Sequence, residues 1–197
     1  MPRSPSKNHL APRTGTWRHR AGVRRLGRRE EGQSLVEFAL ILTPLLFLLL
    51  GIVQFGFIFQ AYVTLSSAAR EASRDATVYV YDTTLTRAQN DTARNNIAKT
   101  TLLAAFNGLA KTSPNFASGT SWTTTSGTGT VTSTNGDMTV TYTLPSTVTD
   151  SDPRAGWRIS IAASYHMDII VPLIGTLLPK DSNGRFVIPA SVTMVIN

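Results

Sequence analysis

Residues 32–59 read GQSLVEFALILTPLLFLLLGIVQFGFIF, and this stretch decides how the chain is organised. From residue 38 onward it carries no charge, and its interruptions are Thr43, Pro44, Gln54 and two glycines. A helix rises about 1.5 Å per residue, so some twenty apolar residues cross the hydrocarbon core of a bilayer, about 30 Å thick. A core helix of a globular protein would show a polar face, and this stretch has none. It therefore predicts a transmembrane helix.

The excess positive charge of the chain lies entirely before this helix. Residues 1–32 hold nine basic side chains and two acidic ones, a net charge of +7, whereas ten basic and ten acidic residues balance in the remainder. By the positive-inside rule the basic flank stays in the cytoplasm and the C-terminal part lies outside. The pattern predicts a single-pass protein of the cytoplasmic (inner) membrane. The chain has no cysteine, which excludes disulfides and thiolate metal sites.

Two other interpretations of the basic flank were weighed. Clusters of Lys and Arg bind nucleic acid, but Trp17 is the single aromatic residue of this flank and a membrane span follows it, so no nucleic-acid partner is expected. A secretory signal cut after Ala69 would release a soluble domain, either a hydrolase or an adhesin. Ordinary signals have shorter basic and apolar regions than this chain.

Glu37 lies at the start of the apolar stretch. A carboxylate deep in a membrane helix costs about 2.5–3.5 kcal/mol, so such a group usually has a partner and a function. Alternatively, Glu37 lies at the membrane interface and reaches water. Hydropathy by itself leaves both possibilities open.

The helix is expected to continue beyond the bilayer to about residues 76–81. Small apolar residues recur there at spacings of three and four, which predicts a helix-packing stripe facing the C-terminal domain or a neighbouring helix. The stripe comprises Leu65, Ala69, Ala72 and Ala76. A break with a possible N-cap at Asp82-Thr83-Thr84 precedes a second helix, predicted from about residue 85 to residue 106.

The remainder of the chain shows strand patterns. Residues 112–137 are mostly Ser, Thr and Gly, which predicts a long exposed loop or a weak hairpin of residues 121–125 with 128–132. Trp122 is the large apolar group of this segment. Three later segments alternate apolar and polar residues and predict half-buried antiparallel strands packed on the long helix. These segments begin at Met138, Ile159 and Ile188. The predicted fold class is α+β.

No chemistry is predicted. His166 and Asp168 could form an acid–base pair, but the alternating polar face of a strand explains both residues. Asp150 and Asp152 resemble the start of a calcium loop that lacks the required glycine and bidentate glutamate. We therefore expect no catalytic, cofactor or metal site and no enzymatic activity.

Several motifs between residues 30 and 80 resemble those of a known family. The basic leader ends in Gly32, and a glutamate follows five residues later at the start of a long apolar helix. This arrangement resembles the class III signal of type IV prepilins. More closely, it resembles the TadE-like family, the minor pilins or pseudopilins of tight-adherence (Tad, Flp-type) pili. The segments that carry the resemblance are EGQSLVEFAL (31–40), PLL (44–46), GI (51–52) and AAREASRDA (68–76).

The resemblance implies a processing site and an assembly charge. A prepilin peptidase would cut between Gly32 and Gln33, and the new α-amino group of Gln33 would be largely cationic at neutral pH. Glu37 would neutralise the N-terminus of a neighbouring subunit. The implied organisation is a cleaved leader (1–32), a transmembrane helix (33–60), a helix extension (61–82) and an extracytoplasmic pilin-like α+β domain (83–197) with a Ser/Thr/Gly-rich loop (112–137).

The function implied by the resemblance is that of a minor pilin or pseudopilin in the assembly of Tad-type adhesive pili, packed through its N-terminal helix. Its partners would be the prepilin peptidase, other minor pilins, the major pilin, the Tad assembly platform and membrane lipid. The alternative is an uncleaved single-pass membrane protein whose outer domain binds a ligand or scaffolds a complex.

Overall fold

A computed structural model describes residues 30–106, 108–109, 113, 116, 119 and 121–197. Residues 1–29, which form most of the predicted leader, lie outside the described residues, as do Asn107 and several residues between positions 110 and 120. The chain divides into two compact units between Thr43 and Pro44.

Two helices dominate the first half of the described chain. Helix α1 comprises Glu30–Thr77, and helix α2 comprises Arg87–Phe106. Helix α1 ends inside the range predicted for it, so residues 78–82 of the predicted helix extension are not helical. Asn90, fully buried, stabilises the connection between the helices because its side chain accepts hydrogen bonds from the Tyr79 hydroxyl and the Asp82 backbone N–H, both at 2.8 Å.

The start of α2 differs from the prediction. Thr86 is the N-cap: its hydroxyl accepts a hydrogen bond from the backbone N–H of Gln89 at 3.3 Å. The Gln89 side chain in turn accepts one from the Thr86 backbone N–H at 2.9 Å, which completes a capping box. The predicted cap at Asp82 is wrong, because the Asp82 carboxylate instead accepts the backbone N–H of Thr84 within the preceding turn.

Five antiparallel strands form one sheet in the order β1-β2-β3-β4-β5. Their bounds are Thr123–Gly127 (β1), Thr130–Asn135 (β2), Met138–Thr143 (β3), Arg158–Met167 (β4) and Phe186–Val195 (β5). The three strands predicted from alternation are β3, β4 and β5. The sheet and the two helices confirm the α+β fold class.

The Ser/Thr/Gly-rich segment forms a hairpin, which was one of its two predicted structures. Its register differs from the prediction, because Gly127 pairs with Thr130 and the turn falls at Thr128 and Gly129. Gly129 has a φ of 68°, a left-handed conformation that glycine adopts without steric cost. Trp122 precedes the hairpin and docks on α2, where its indole N–H donates to the Asn96 side chain at 2.7 Å.

The core lies between one face of the sheet and the two helices. In β4 every second residue is buried, from Ile159 to Met167, as a strand with one solvated face requires. The other buried members come from α1, α2, β3 and β5, and they include Leu65, Ala72, Leu102, Phe106, Val140, Tyr142 and Ile188. The predicted apolar loop of residues 173–178 contains a short helix, α3 (Pro172–Gly175), in which Ile174 faces inward.

Candidate functional site on the N-terminal helix

The first half of α1 exposes a long run of large apolar side chains. Leu35 and Leu40 are 70% and 71% exposed, and Phe59 is 68% exposed. Between Gly32 and Thr77, α1 is long and apolar enough to cross a membrane. Soluble proteins rarely expose continuous apolar surfaces of this kind, so this part of α1 requires lipid or another helix as its neighbour.

The predicted cleavage residues lie in the first turn of this run. Gly32 and Gln33 are both helical and exposed, and among the described residues no atom outside the adjoining helix backbone lies within 4 Å of the position that a Cβ on Gly32 would occupy. Glycine has no side chain, so another protein can approach the backbone at Gly32 closely.

Glu37 lies one helical turn after Gln33. The Gln33 side-chain amide donates a hydrogen bond to Glu37 Oε1 at 2.9 Å, the i,i+4 contact expected on one face of a helix. The exposed carboxylate therefore already has a polar neighbour within its own chain.

Thr43 and Pro44 interrupt the hydrogen-bond ladder of α1. Pro44 has no N–H, so it cannot donate to the carbonyl of Leu40, and α1 lacks one helical hydrogen bond there. The Thr43 hydroxyl donates to the carbonyl of Ala39 at 2.8 Å. The apolar helix is therefore weaker here than an uninterrupted run of leucines would be.

The second half of α1 carries the stripe that packs on the domain. The four predicted stripe residues are fully buried; they are Leu65, Ala69, Ala72 and Ala76. Burial extends further toward the N-terminus, through Ala61 to Gln54, at the same spacing of three to four residues. The apolar residues at these buried positions belong to the same hydrophobic core as the inward-facing residues of the sheet.

Gln54 is a buried residue of α1 that the sequence patterns did not single out for packing. It is 1% exposed, and its Oε1 accepts a hydrogen bond from the backbone N–H of Ile170 at 2.9 Å. The sequence does contain a signal for this packing position. Gln54 is the one amide side chain between residues 38 and 59, and the stripe continues toward the N-terminus through Ala61, Ile58 and Gln54. In the sequence, Gln54 is visible only as an interruption of the apolar run, because its partner Ile170 is far away in the chain.

A buried ionic cluster joins α2 to the connection between β3 and β4. Arg154 Nε and Nη2 lie 2.9 and 2.8 Å from the two carboxylate oxygens of Asp91, and the Arg154 guanidinium stacks 4.2 Å from the centre of the Trp157 ring. Tyr142 lies beside this cluster. Its burial, and to a smaller extent the negative charge of Asp91, raises the pKa of its hydroxyl above the ordinary value. Arg154 adopts a φ of 69°, a strained conformation for a residue with a side chain. Asp91 and Arg154 also line a pocket of about 260 Å³ between α2 and the first two strands.

The acidic and histidine residues singled out from the sequence lie in separate contacts. His166 Nδ1 is 2.6 Å from Asp181, whereas Asp168 forms an ion pair with Arg185 at 2.8 Å, so His166 and Asp168 are not paired with each other. Asp150 and Asp152 both contact the guanidinium of Arg87. Among the residues that the structure describes, no three His, Asp or Glu side chains are placed to share a metal ion.

Comparison with known protein families gives a match within α1. Residues 32–74 match the model of a family described as TadE-like protein. The match contains Gly32, Gln33, Glu37 and most of the buried stripe, and it ends before the sheet. No curated protein and no solved structure matches the chain. The resemblance to the TadE-like family is therefore confirmed over residues 32–74, which lie within α1.

Proposed function

We propose that this chain is a minor pilin or pseudopilin that takes part in the assembly of Tad-type adhesive pili. The observation that carries the proposal is the exposed apolar half of α1, which bears Glu37 near its start and falls within the TadE-like match. In the membrane this surface contacts lipid. In an assembly the same surface packs against the α1 helices of other minor pilins or of the major pilin.

Processing converts the membrane anchor into an assembly helix in this proposal. The prepilin peptidase cuts between Gly32 and Gln33 at the cytoplasmic face, and the accessible helical glycine supports this position. Cleavage removes residues 1–32, with their net charge of +7, and leaves a chain with balanced charges. The mature chain then comprises the transmembrane helix and the α+β domain, which lies outside the cytoplasmic membrane.

Glu37 recognises the new N-terminus. The hydrogen bond from the Gln33 side chain to Glu37 supports this role only in that the carboxylate is positioned to accept a donor on this face of the helix. The hydrogen bond between Gln33 and Glu37 of one chain competes with an ion pair between Glu37 and the N-terminus of a neighbouring chain. That N-terminus therefore has to displace the Gln33 side chain or share the carboxylate with it. The Tad assembly platform brings two such helices together in the membrane, where low dielectric strengthens the charge pair.

The mature N-terminus tests the proposal. The full chain is expressed with and without an active prepilin peptidase, and the intact masses are compared. We expect a product that begins at Gln33 only when the peptidase is present. Gly32→Leu should block this cleavage, whereas Gly56→Leu is the matched control, because Gly56 is also an exposed helical glycine with no atom within 4 Å of its Cβ position.

Other outcomes separate the alternatives. A product that keeps Met1 beside an active peptidase would overturn the processing and favour an uncleaved single-pass membrane protein with a ligand-binding or scaffolding domain. A product that begins at Arg70 would indicate a secreted domain released by signal cleavage.

A further inference from the structure

Ten consecutive residues between β4 and β5 carry no charge. This segment, Ile169–Leu178, contains α3 and is called the 169–178 loop below. Val171 and Ile174 face inward, but Ile170 is 66% exposed and Leu177 is 83% exposed. Large aliphatic side chains of this kind are unfavourable in water, so their exposure at one end of the sheet needs an explanation.

The 169–178 loop is attached to α1 within the apolar run. Gln54 accepts the backbone N–H of Ile170 at 2.9 Å. One turn earlier, the position that a Cβ on Gly51 would occupy lies 3.4 Å from Cδ1 of Ile174, so α3 lies beside the helix at van der Waals distance. The loop therefore lies alongside residues 51–54 of α1.

The position of residues 51–54 in a bilayer follows from the length of the apolar run. About twenty helical residues span the hydrocarbon core, and twenty residues counted from Phe38, the first after Glu37, end at Phe57. At about 1.5 Å per residue, Gly51 then lies about 9 Å inside the outer hydrocarbon boundary. The attached loop is at the same level.

We propose that the 169–178 loop inserts into the outer leaflet of the bilayer that α1 spans, with the side chains of Ile170 and Leu177 among the lipid chains. The inference rests on α1 as a membrane anchor, which is part of the proposed function. The domain is then fixed at the membrane surface by two elements, a spanning helix and a shallow loop, and it does not swing freely on one helix.

The backbone of the loop suits a lipid environment. Unpaired backbone groups are costly in hydrocarbon, so an inserted segment has to satisfy them internally. The backbone N–H groups of Ile174 and Gly175 donate to the carbonyl of Val171, both at 3.1 Å, and that of Leu177 donates to the carbonyl of Ile174 at 3.0 Å. Gln54 satisfies the N–H of Ile170. Four donors of the loop therefore have partners without water.

The flanks of the loop suit a membrane interface. The charged residues Asp168 and Lys180 bracket the apolar segment, and Lys180 is exposed. Lysine side chains at such positions extend their ammonium groups toward lipid phosphates. On α1, Phe59 and Tyr62 are 68% and 50% exposed, and they lie beyond Phe57, where aromatic residues favour the headgroup region.

Site-directed spin labelling tests the insertion in the intact protein. Because the chain has no cysteine, single-cysteine variants need no background substitutions. Ile170→Cys and Leu177→Cys are labelled with a nitroxide, and the full chain is reconstituted at high lipid-to-protein ratio in vesicles of phosphatidylethanolamine and phosphatidylglycerol. Accessibility to oxygen, which dissolves in lipid, is compared with accessibility to a water-soluble nickel complex.

Two further positions serve as references. Leu48→Cys reports the apolar half of α1, where the side chain is 61% exposed. Thr143→Cys reports the opposite end of the sheet, because Thr143 is exposed and pairs with Arg158 at the far end of β4. We expect the oxygen-to-nickel ratio at residues 170 and 177 to be close to that at residue 48 and several-fold above that at residue 143.

Each contrary result has a distinct meaning. High nickel accessibility at residues 170 and 177, with residue 48 still in lipid, would overturn the insertion but leave the membrane anchor intact. Protection from both reagents would show that a second copy of the chain covers the loop, which also overturns the proposal. Water accessibility at residue 48 would instead contradict the anchoring role of α1.

Discussion

The side-chain carbonyl of Gln54 accepts a hydrogen bond from the backbone N–H of Ile170 at 2.9 Å, across a separation of 116 residues. This contact joins the apolar run of α1 to the connection between β4 and β5. It places the domain at a defined level of the helix, and it makes Gln54 a structural residue of the domain as well as part of the anchor.

We predict that Gln54→Leu destabilises the folded domain. The substitution removes the acceptor of the part-buried Ile170 N–H, and a hydrogen bond of this kind contributes roughly 0.5–1.5 kcal/mol to stability. The midpoint of thermal unfolding of the full chain in detergent, followed by circular dichroism, should therefore fall. Gln60→Leu is the matched control because Gln60 is an exposed glutamine on the same helix. Equal midpoints for the two variants would show that the hydrogen bond contributes nothing.

Asp91→Asn should destabilise the domain more strongly. It neutralises the carboxylate that pairs with the Arg154 guanidinium, which is 4% exposed, and an uncompensated buried charge costs about 3–5 kcal/mol. Asp168→Asn breaks the ion pair with Arg185 at the surface, where such pairs are worth about 0–1 kcal/mol. Denaturant unfolding of both variants measures the difference, and similar losses would contradict the importance of the buried pair.

Asp181 should make stability depend on acidic pH. The carboxylate of Asp181 accepts hydrogen bonds from the backbone N–H groups of Arg185 and Asn183, and it contacts His166. Led by the bond from Arg185, these contacts hold the pKa of Asp181 below 3.8. Because the folded state has the lower pKa, this contribution is complete above pH 3.8 and disappears as the pH falls through 3.8 toward the folded-state value.

Asp181→Asn should therefore lower the melting temperature at neutral pH and reduce the loss of stability as the pH falls below 3.8. Melting temperatures across this pH range check the prediction. Asp168→Asn serves as the control, because it leaves the three contacts of Asp181 in place. If the melting temperature of Asp181→Asn falls with acid as steeply as that of the unsubstituted chain, the Asp181 carboxylate is not the source of the pH dependence.

Glu37→Leu should leave membrane insertion and cleavage intact but weaken pilus assembly. The substitution makes the apolar helix longer and removes the proposed partner of the neighbouring N-terminus. Intact mass of the membrane-bound chain measures processing, and electron microscopy of cells measures piliation. Normal piliation by the variant would contradict the charge-pairing role of Glu37. Failure of cleavage would show instead that the peptidase recognises Glu37.

Local patterns were sufficient for most of the fold. The apolar run indicates α1, alternation predicts β3 to β5, and the spacing of Leu65, Ala69, Ala72 and Ala76 identifies a stripe that the structure buries. These patterns succeed because one face of each element is buried, and burial imposes the period of the helix or strand on the sequence.

The differences occur where local signals compete. Asp82 and Thr86 are both good N-caps, and the structure selects Thr86 because Gln89 completes the capping box. In the Thr-rich hairpin no apolar face specifies the register, so the left-handed conformation of Gly129 determines the turn.

The sequence alone determined that this chain has a basic flank, a membrane-length helix with Glu37 near its start, and an α+β domain behind it. These properties depend on composition and on spacing between near neighbours. Only the tertiary structure decided that Gln54 bonds to Ile170, that Arg154 pairs with Asp91 and that the 169–178 loop lies beside the apolar helix. The partners in these contacts are brought together by chain folding, and no local period in the sequence records which distant residues will meet.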